Sequence, residues 1–150
     1  ADCVLTAEWA LRLAEALQAV AILLTDQNLA QSRALIPAPD YRLPDIPPRL
    51  QASTDEDYRR YALTPDGVSP MAIPGTACST YVADGLEHTE TGKPSTAAAD
   101  HAAQLDKRAG KLEGFDYGDL WADIRGSGKT AILTWGSTAS AVREAAGRLE

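Results

Sequence analysis

The 150 residues are 45% hydrophobic, 23% charged and 6% aromatic, with a formal net charge of −7. A domain of this size buries about two-thirds of the surface its unfolded chain exposes, which excludes a disordered chain and a small disulfide scaffold. The longest apolar run, Val20 to Leu24, is far short of the roughly 20 residues that span a bilayer. Acidic residues spread along the chain, with no basic stripe, so neither a membrane nor a nucleic acid is an expected partner.

In chain order, Ala10, Leu13, Leu17 and Val20 recur at three- and four-residue intervals. With Thr6 as N-cap and Glu8 in the first turn, this spacing predicts an amphipathic helix over 6–20. The run Val20-Ala21-Ile22-Leu23-Leu24 follows and is closed by Thr25-Asp26-Gln27-Asn28, predicting a strand buried on both faces as in a parallel sheet. A helix feeding such a strand is half of a βαβ unit, and ligands gather past the C-terminal ends of parallel strands. Asp26, Gln27 and Arg33 lie there, either lining a crevice or capping the next helix and meeting a partner surface.

All nine prolines fall between Pro37 and Pro94. Pro-Ala-Pro-Asp, Leu-Pro-Asp-Ile-Pro-Pro, Thr-Pro-Asp-Gly and Ile-Pro-Gly-Thr build turns, and an irregular stretch this long puts a single uniform domain in question. Tyr41, Tyr58, Tyr61, Val68, Met71, Ile73, Tyr81, Val82 and Leu86 supply enough apolar surface to make it an ordered crossing segment and not a flexible linker.

Beyond it, Ala98, Ala102, Leu105, Ala109 and Leu112 mark a second amphipathic helix, weakened at Gly110 and stopped at Gly114. Thr130-Ala131-Ile132-Leu133-Thr134-Trp135 reads as another buried strand. Gly136-Ser137-Thr138 turns it into a third helix with Ala139, Val142, Ala146 and Leu149 on one face. A parallel sheet cannot consist of one strand, so a second domain is expected to begin here. The start at Ala1, with neither Met nor a charged leader, reads as a cut and not as a signal peptide.

Few motifs carry chemistry. Gly126-Ser127-Gly128-Lys129-Thr130 lacks the first glycine of a phosphate loop, since position 123 is Asp123, and it precedes a strand instead of following one. Gly136-Ser137-Thr138 is better placed for an anion, but a strand-to-helix turn needs a glycine and a capping hydroxyl in any case. Glu87-His88-Thr89-Glu90 and Asp100-His101 have no convergent metal-ligand spacing, so solvated loop histidines are expected. Cys3 and Cys78 form neither a redox pair nor a zinc or cluster pattern, and no nucleophile elbow occurs. A reduced, cytoplasmic setting is the expectation.

Arg60-Tyr61-Ala62-Leu63-Thr64-Pro65-Asp66-Gly67-Val68-Ser69-Pro70-Met71-Ala72-Ile73-Pro74-Gly75-Thr76, followed by Tyr81-Val82-Ala83-Asp84-Gly85-Leu86-Glu87-His88-Thr89-Glu90, resembles a stretch of the alpha subunit of 2-oxoacid:ferredoxin oxidoreductases, those of 2-oxoglutarate in particular. Lys107-Arg108, Lys111-Leu112-Glu113, Thr134-Trp135-Gly136-Ser137-Thr138 and Leu24-Thr25-Asp26-Gln27 extend the resemblance over essentially the whole chain. Where the family has a Pro-Gly-Gly-type run after Gly75-Thr76, this chain has Ala77-Cys78-Ser79, which restricts that loop's backbone.

The resemblance implies an α/β architecture: residues 1–36 as the end of a thiamine-diphosphate pyrimidine-binding domain, 37–94 as a proline-rich connection, 95–129 as a helical connection and 130–150 as the start of a transketolase-C-terminal-like domain. It implies oxidative decarboxylation of a 2-oxoacid to an acyl-CoA with reduction of ferredoxin. Thiamine diphosphate, its magnesium and an iron–sulfur cluster belong to the full complex with a beta subunit, and none is expected on this segment alone. The family's catalytic glutamate has no counterpart here, since Glu8 and Glu15 do not match it, and no catalytic residue is assigned. The competing expectation is a non-catalytic interaction or scaffold module that has kept family sequence.

Overall fold

A computed structural model describes residues 2–38, 45–53 and 57–149; Tyr41 of the middle segment lies outside the described residues. The regular elements are helix α1 (Asp2–Leu17), the short α2 (Gln27–Gln31), α3 (Ala98–Glu113), a 3₁₀ turn at Gly118–Trp121 and α4 (Thr138–Leu149).

Helix α1 begins a turn earlier than the spacing predicts, so Thr6 lies inside it and is not its N-cap. It ends at Gln18, whose φ of 48° places a non-glycine residue in the left-handed region. The Ala19 N–H then returns to the Ala14 carbonyl at 3.2 Å, the six-residue closure of a Schellman motif. Two contacts hold this strained residue. Its side-chain amide donates to the Leu50 carbonyl at 3.4 Å, and its own carbonyl accepts from Lys111 Nζ at 3.4 Å.

The predicted strands at 20–24 and 130–135 do not form ladders, and Thr130 lies in a bend. Among the described residues the only ladder contacts are isolated bridges, Gln51 with Met71 and His88 with Pro94. Burial on both faces is corrected as well: Val20 is 88% exposed and Leu133 89% exposed, and Ile22, Leu24, Ile132 and Trp135 are exposed too. The physical reason is that a central strand is buried by its neighbours and by the helices over them, and the described residues supply none.

The described parts of the proline-rich segment pack against α3. Tyr81 meets both Tyr58 and Tyr61 edge to face, with ring centroids 6.3 Å apart in each of the two contacts. The Tyr58 hydroxyl accepts from the Ala72 N–H at 3.1 Å, and the Tyr61 hydroxyl donates to the Val82 carbonyl at 3.1 Å. At Thr89–Gly92 the chain reverses through a turn closed by Gly92, with φ 88°. The Gly92 N–H donates to the Thr89 carbonyl at 3.0 Å, and the Thr89 N–H donates to the Lys93 carbonyl at 2.9 Å.

Helix α3 forms where expected and ends at Gly114, but it packs the opposite way round. Ala98, Ala102 and Ala109 face out, with Leu105 46% and Leu112 48% exposed. Gln104 is buried instead, flanked by the part-buried Asp100, Lys107 and Lys111. The covering loops present polar atoms to this face. Gln104 Nε2 donates to the Tyr61 carbonyl at 3.0 Å, Lys107 Nζ donates to the Ser69 hydroxyl, and Lys111 reaches the Gln18 carbonyl. Loop carbonyls taken out of water need donors, and α3's polar side provides them.

Candidate functional site

The sequence directs attention first to Asp26, Gln27 and Arg33. Asp26 has extended backbone (φ −121°, ψ 167°) and caps α2, its Oδ1 accepting from the Leu29 N–H at 2.9 Å. Its Oδ2 accepts from the Ser137 N–H at 2.8 Å, in the turn that opens α4. These backbone hydrogen bonds hold the Asp26 carboxyl below the ordinary aspartate range. The anion-welcoming turn at Gly136-Ser137-Thr138 therefore holds this chain's own carboxylate. Gly136 is required there, because its φ is 61° and a Cβ would lie 2.6 Å from Asp26 Oδ2. Gln27 opens α2 and Arg33 lies beyond its end; both are exposed, and among the described residues Arg33 makes no ion pair with Asp26.

A second centre forms around Glu87. Arg108 grips its carboxylate with two donors, Nη1 to Oε1 at 3.2 Å and Nη2 to Oε2 at 2.8 Å, and the His101 Nδ1–H donates to Oε2 at 2.9 Å. The Arg108 bonds, with His101 adding to them, bring the Glu87 carboxyl down from 4.5 to about 2. His101 is exposed, as a solvated histidine should be, but His88 is not. It is 4% exposed and stacks on Tyr61 with ring centroids 4.5 Å apart and planes 2° from parallel. Its Nε2 lies 3.0 Å from Asp84 Oδ1 in an orientation that makes no hydrogen bond. The expectation of a solvated His88 is thus corrected; only pairing with a distant aromatic ring reveals it, and the local sequence carries no signal of that.

The third centre is cationic. Lys107 is half-buried, and burial, with repulsion from Arg60 and Lys111, pushes its amine down from 10.5 to about 8. Burial and the neighbouring Arg60 and Arg108 also lower Lys111. The Arg60 guanidinium lies 5.8 Å from the Tyr61 ring centroid and 5.9 Å from that of Tyr81. Beside Lys111 an apolar groove of about 750 Å³ runs between the end of α1, Pro47–Gln51 and Phe115.

The glycine-poor loop keeps a glycine-like backbone. Cys78 has φ 58°, and the Ser79 hydroxyl donates to the Thr76 carbonyl at 2.5 Å. Cys3 and Cys78 are free and exposed. Among the described residues no three His, Cys, Asp or Glu side chains converge as metal donors, and no helix is long and apolar enough to cross a membrane.

No protein-family model matches the chain. It is 33% identical over 150 residues to the alpha subunit of 2-oxoacid:ferredoxin oxidoreductase 1 of Sulfurisphaera tokodaii, covering 91% of this chain and 23% of that protein. It is 30% identical over 156 residues to the 2-oxoglutarate oxidoreductase subunit KorA of Mycobacterium tuberculosis, covering 99% of this chain and 23% of that protein. Its fold matches that of the 2-oxoglutarate:ferredoxin oxidoreductase from Magnetococcus marinus, solved with 2-oxoglutarate, coenzyme A and succinyl-CoA bound. That match has a TM-score of 0.81 at 38% identity, over 99% of this chain and 26% of that one. The chain thus spans about a quarter of the length of the proteins it matches. In sequence and in fold, the chain is similar to one segment of the alpha subunit of 2-oxoacid:ferredoxin oxidoreductases.

Proposed function

We propose that the chain is the joint segment of an alpha subunit that oxidatively decarboxylates a 2-oxoacid to its acyl-CoA and passes the electrons to ferredoxin. 2-Oxoglutarate is the favoured substrate, since the M. tuberculosis relative is named for it and the M. marinus structure holds it. The observation that carries this reading is the fold match over 99% of the chain at 38% identity. The two unpaired apolar segments at 20–24 and 131–135 support it physically. Each has the composition of a central strand and no ladder partner among the described residues, the form expected where one domain's sheet ends and another's begins. In this reading 1–36 closes a pyrimidine-binding domain, 37–94 is the proline-rich connection, 95–129 the helical connection, and 130–150 opens a transketolase-C-terminal-like domain.

The described residues do not fit an iron–sulfur cluster or a magnesium-bound diphosphate. Two exposed cysteines cannot supply four thiolates, and no set of three metal donors converges among the described residues. Those groups are assigned to a beta subunit, and no chemical step is routed through this segment. Its contribution is geometric: Asp26 fixes the end of one apolar segment against the end of the other.

The test is 2-oxoglutarate-dependent, CoA-dependent reduction of a low-potential one-electron acceptor by the full-length alpha subunit with its beta partner. Activity with 2-oxoglutarate above other 2-oxoacids is expected. Failure with every 2-oxoacid in a complex that assembles would refute the catalytic reading. Tight calorimetric binding of thiamine diphosphate to the alpha chain alone would refute the division of labour.

A further inference from the structure

Two Asp-Gly dipeptides stand in the chain, Asp66-Gly67 and Asp84-Gly85. In such a pair the glycine nitrogen can attack the preceding side-chain carboxyl, because no β-carbon on the second residue hinders the approach. The dipeptides themselves do not differ. Each carboxyl is also folded back over the following peptide in the same way, Asp66 Oδ1 accepting from the Val68 N–H at 3.1 Å and Asp84 Oδ1 from the Leu86 N–H at 2.9 Å.

The two glycines separate them. Gly67 is buried with φ 72°, and its N–H donates to the Thr64 carbonyl at 3.0 Å. A Cβ on it would stand 2.7 Å from both the Lys107 carbonyl and Lys111 Cβ, so its peptide is wedged against α3. Its nitrogen reaches the Asp66 carboxyl only after that turn opens. Gly85 is exposed, a Cβ there would meet nothing within 4 Å, and its N–H has no hydrogen-bond acceptor among the described residues. Asp84 beside it is exposed as well.

We propose that Asp84-Gly85 is a self-modification site at which the native chain isomerises to isoaspartate, and that the fold protects Asp66-Gly67 from the same reaction. The Gly85 nitrogen forms a bond to Asp84 Cγ, and a carboxylate oxygen departs as water with the amide proton and one proton from solvent. The five-membered imide then takes water back. Opening at Cγ restores aspartate. Opening at the Asp84 main-chain carbonyl carbon leaves the chain running through Cβ and Cγ, with a new α-carboxylate and the solvent proton returned. Nothing is oxidised or reduced, and water is the one co-reactant. The added methylene falls between Val82, whose carbonyl accepts from the Tyr61 hydroxyl, and His88, whose ring stacks on Tyr61. The site is independent of the oxidoreductase reading.

The test is ageing of the full-length protein near neutral pH, native and, separately, in denaturant. Proteolysis follows, and isoaspartate is quantified in the peptides that contain Asp66 and Asp84 by enzymatic carboxyl methylation and mass spectrometry. In the native protein isoaspartate should accumulate at 84 about tenfold or more faster than at 66, since Gly67 must first lose its hydrogen bond and its packing. In denaturant the two rates should converge to within about threefold. Gly85→Ala has room for its methyl group and should slow the native reaction about fivefold or more. Absence of isoaspartate at 84 in native protein that acquires it in denaturant, equal native rates at the two sites, or an undiminished rate in Gly85→Ala overturns the proposal.

Discussion

Replacing Glu87 with Gln isolates the network that pins α3 to the Thr89–Gly92 turn region. The carboxyl falls from 4.5 to about 2 in the folded chain, chiefly through Arg108. At about 1.4 kcal/mol per unit this corresponds to roughly 3 kcal/mol before solvent screening. Arg108 is 49% and His101 60% exposed, so screening reduces it to about 1–2 kcal/mol. Because the folded value lies below the unfolded one, the stabilisation is complete above about pH 4.5 and disappears as pH falls toward 2. Glu87→Gln should therefore speed amide exchange in 86–95 and 98–113 by roughly five- to thirtyfold at neutral pH. In denaturant titrations the parent should lose about 1–2 kcal/mol more than the variant between pH 4.5 and 2. Equal acid sensitivity of parent and variant, or unchanged exchange in both segments, would refute the assignment of this network to Glu87.

Three glycine-type positions give further predictions. Gly136→Ala places a Cβ 2.6 Å from Asp26 Oδ2 at a φ of 61°, so it should break the Asp26–Ser137 bond at a cost of about 2 kcal/mol. Loss of amide protection at Ser137, with α3 unchanged, is the readout. Gly67→Ala meets the Lys107 carbonyl and Lys111 Cβ at 2.7 Å with φ 72° and should destabilise by about 2–3 kcal/mol, read as a lowered denaturation midpoint. Cys78→Gly should stabilise by up to about 1 kcal/mol, because φ 58° is strained for cysteine and the site is exposed. A destabilising result there would mean that the thiol makes a contact the loop needs.

The helices were legible because their signals are local. The spacing of Leu13 and Leu17 located α1, and the alanine–leucine pattern with Gly114 located α3, to within a turn. Which side of α3 packs was not legible, because the choice depends on acceptors, the carbonyls of Gln18 and Tyr61 and the Ser69 hydroxyl, each far away in the chain. His88 went unread for the same reason, since its burial is set by the Tyr61 ring. The apolar segments at 20–24 and 130–135 were recognised by composition. Pairing and burial depend on neighbours that no property of the segments themselves encodes.

Asp26 shows why two readings of one position were inseparable in sequence. A crevice at the end of a parallel strand and an N-cap both use N–H groups that point away from the strand's last residue. An acidic residue after an apolar run satisfies either description. The structure distinguishes them by occupancy: one carboxylate oxygen closes α2, and the other reaches across 111 positions of sequence to the turn before α4. An anionic ligand at that turn would have to displace a charged, doubly bonded side chain. Asp26 is therefore better understood as the brace that holds the end of one apolar segment against the turn that follows the other.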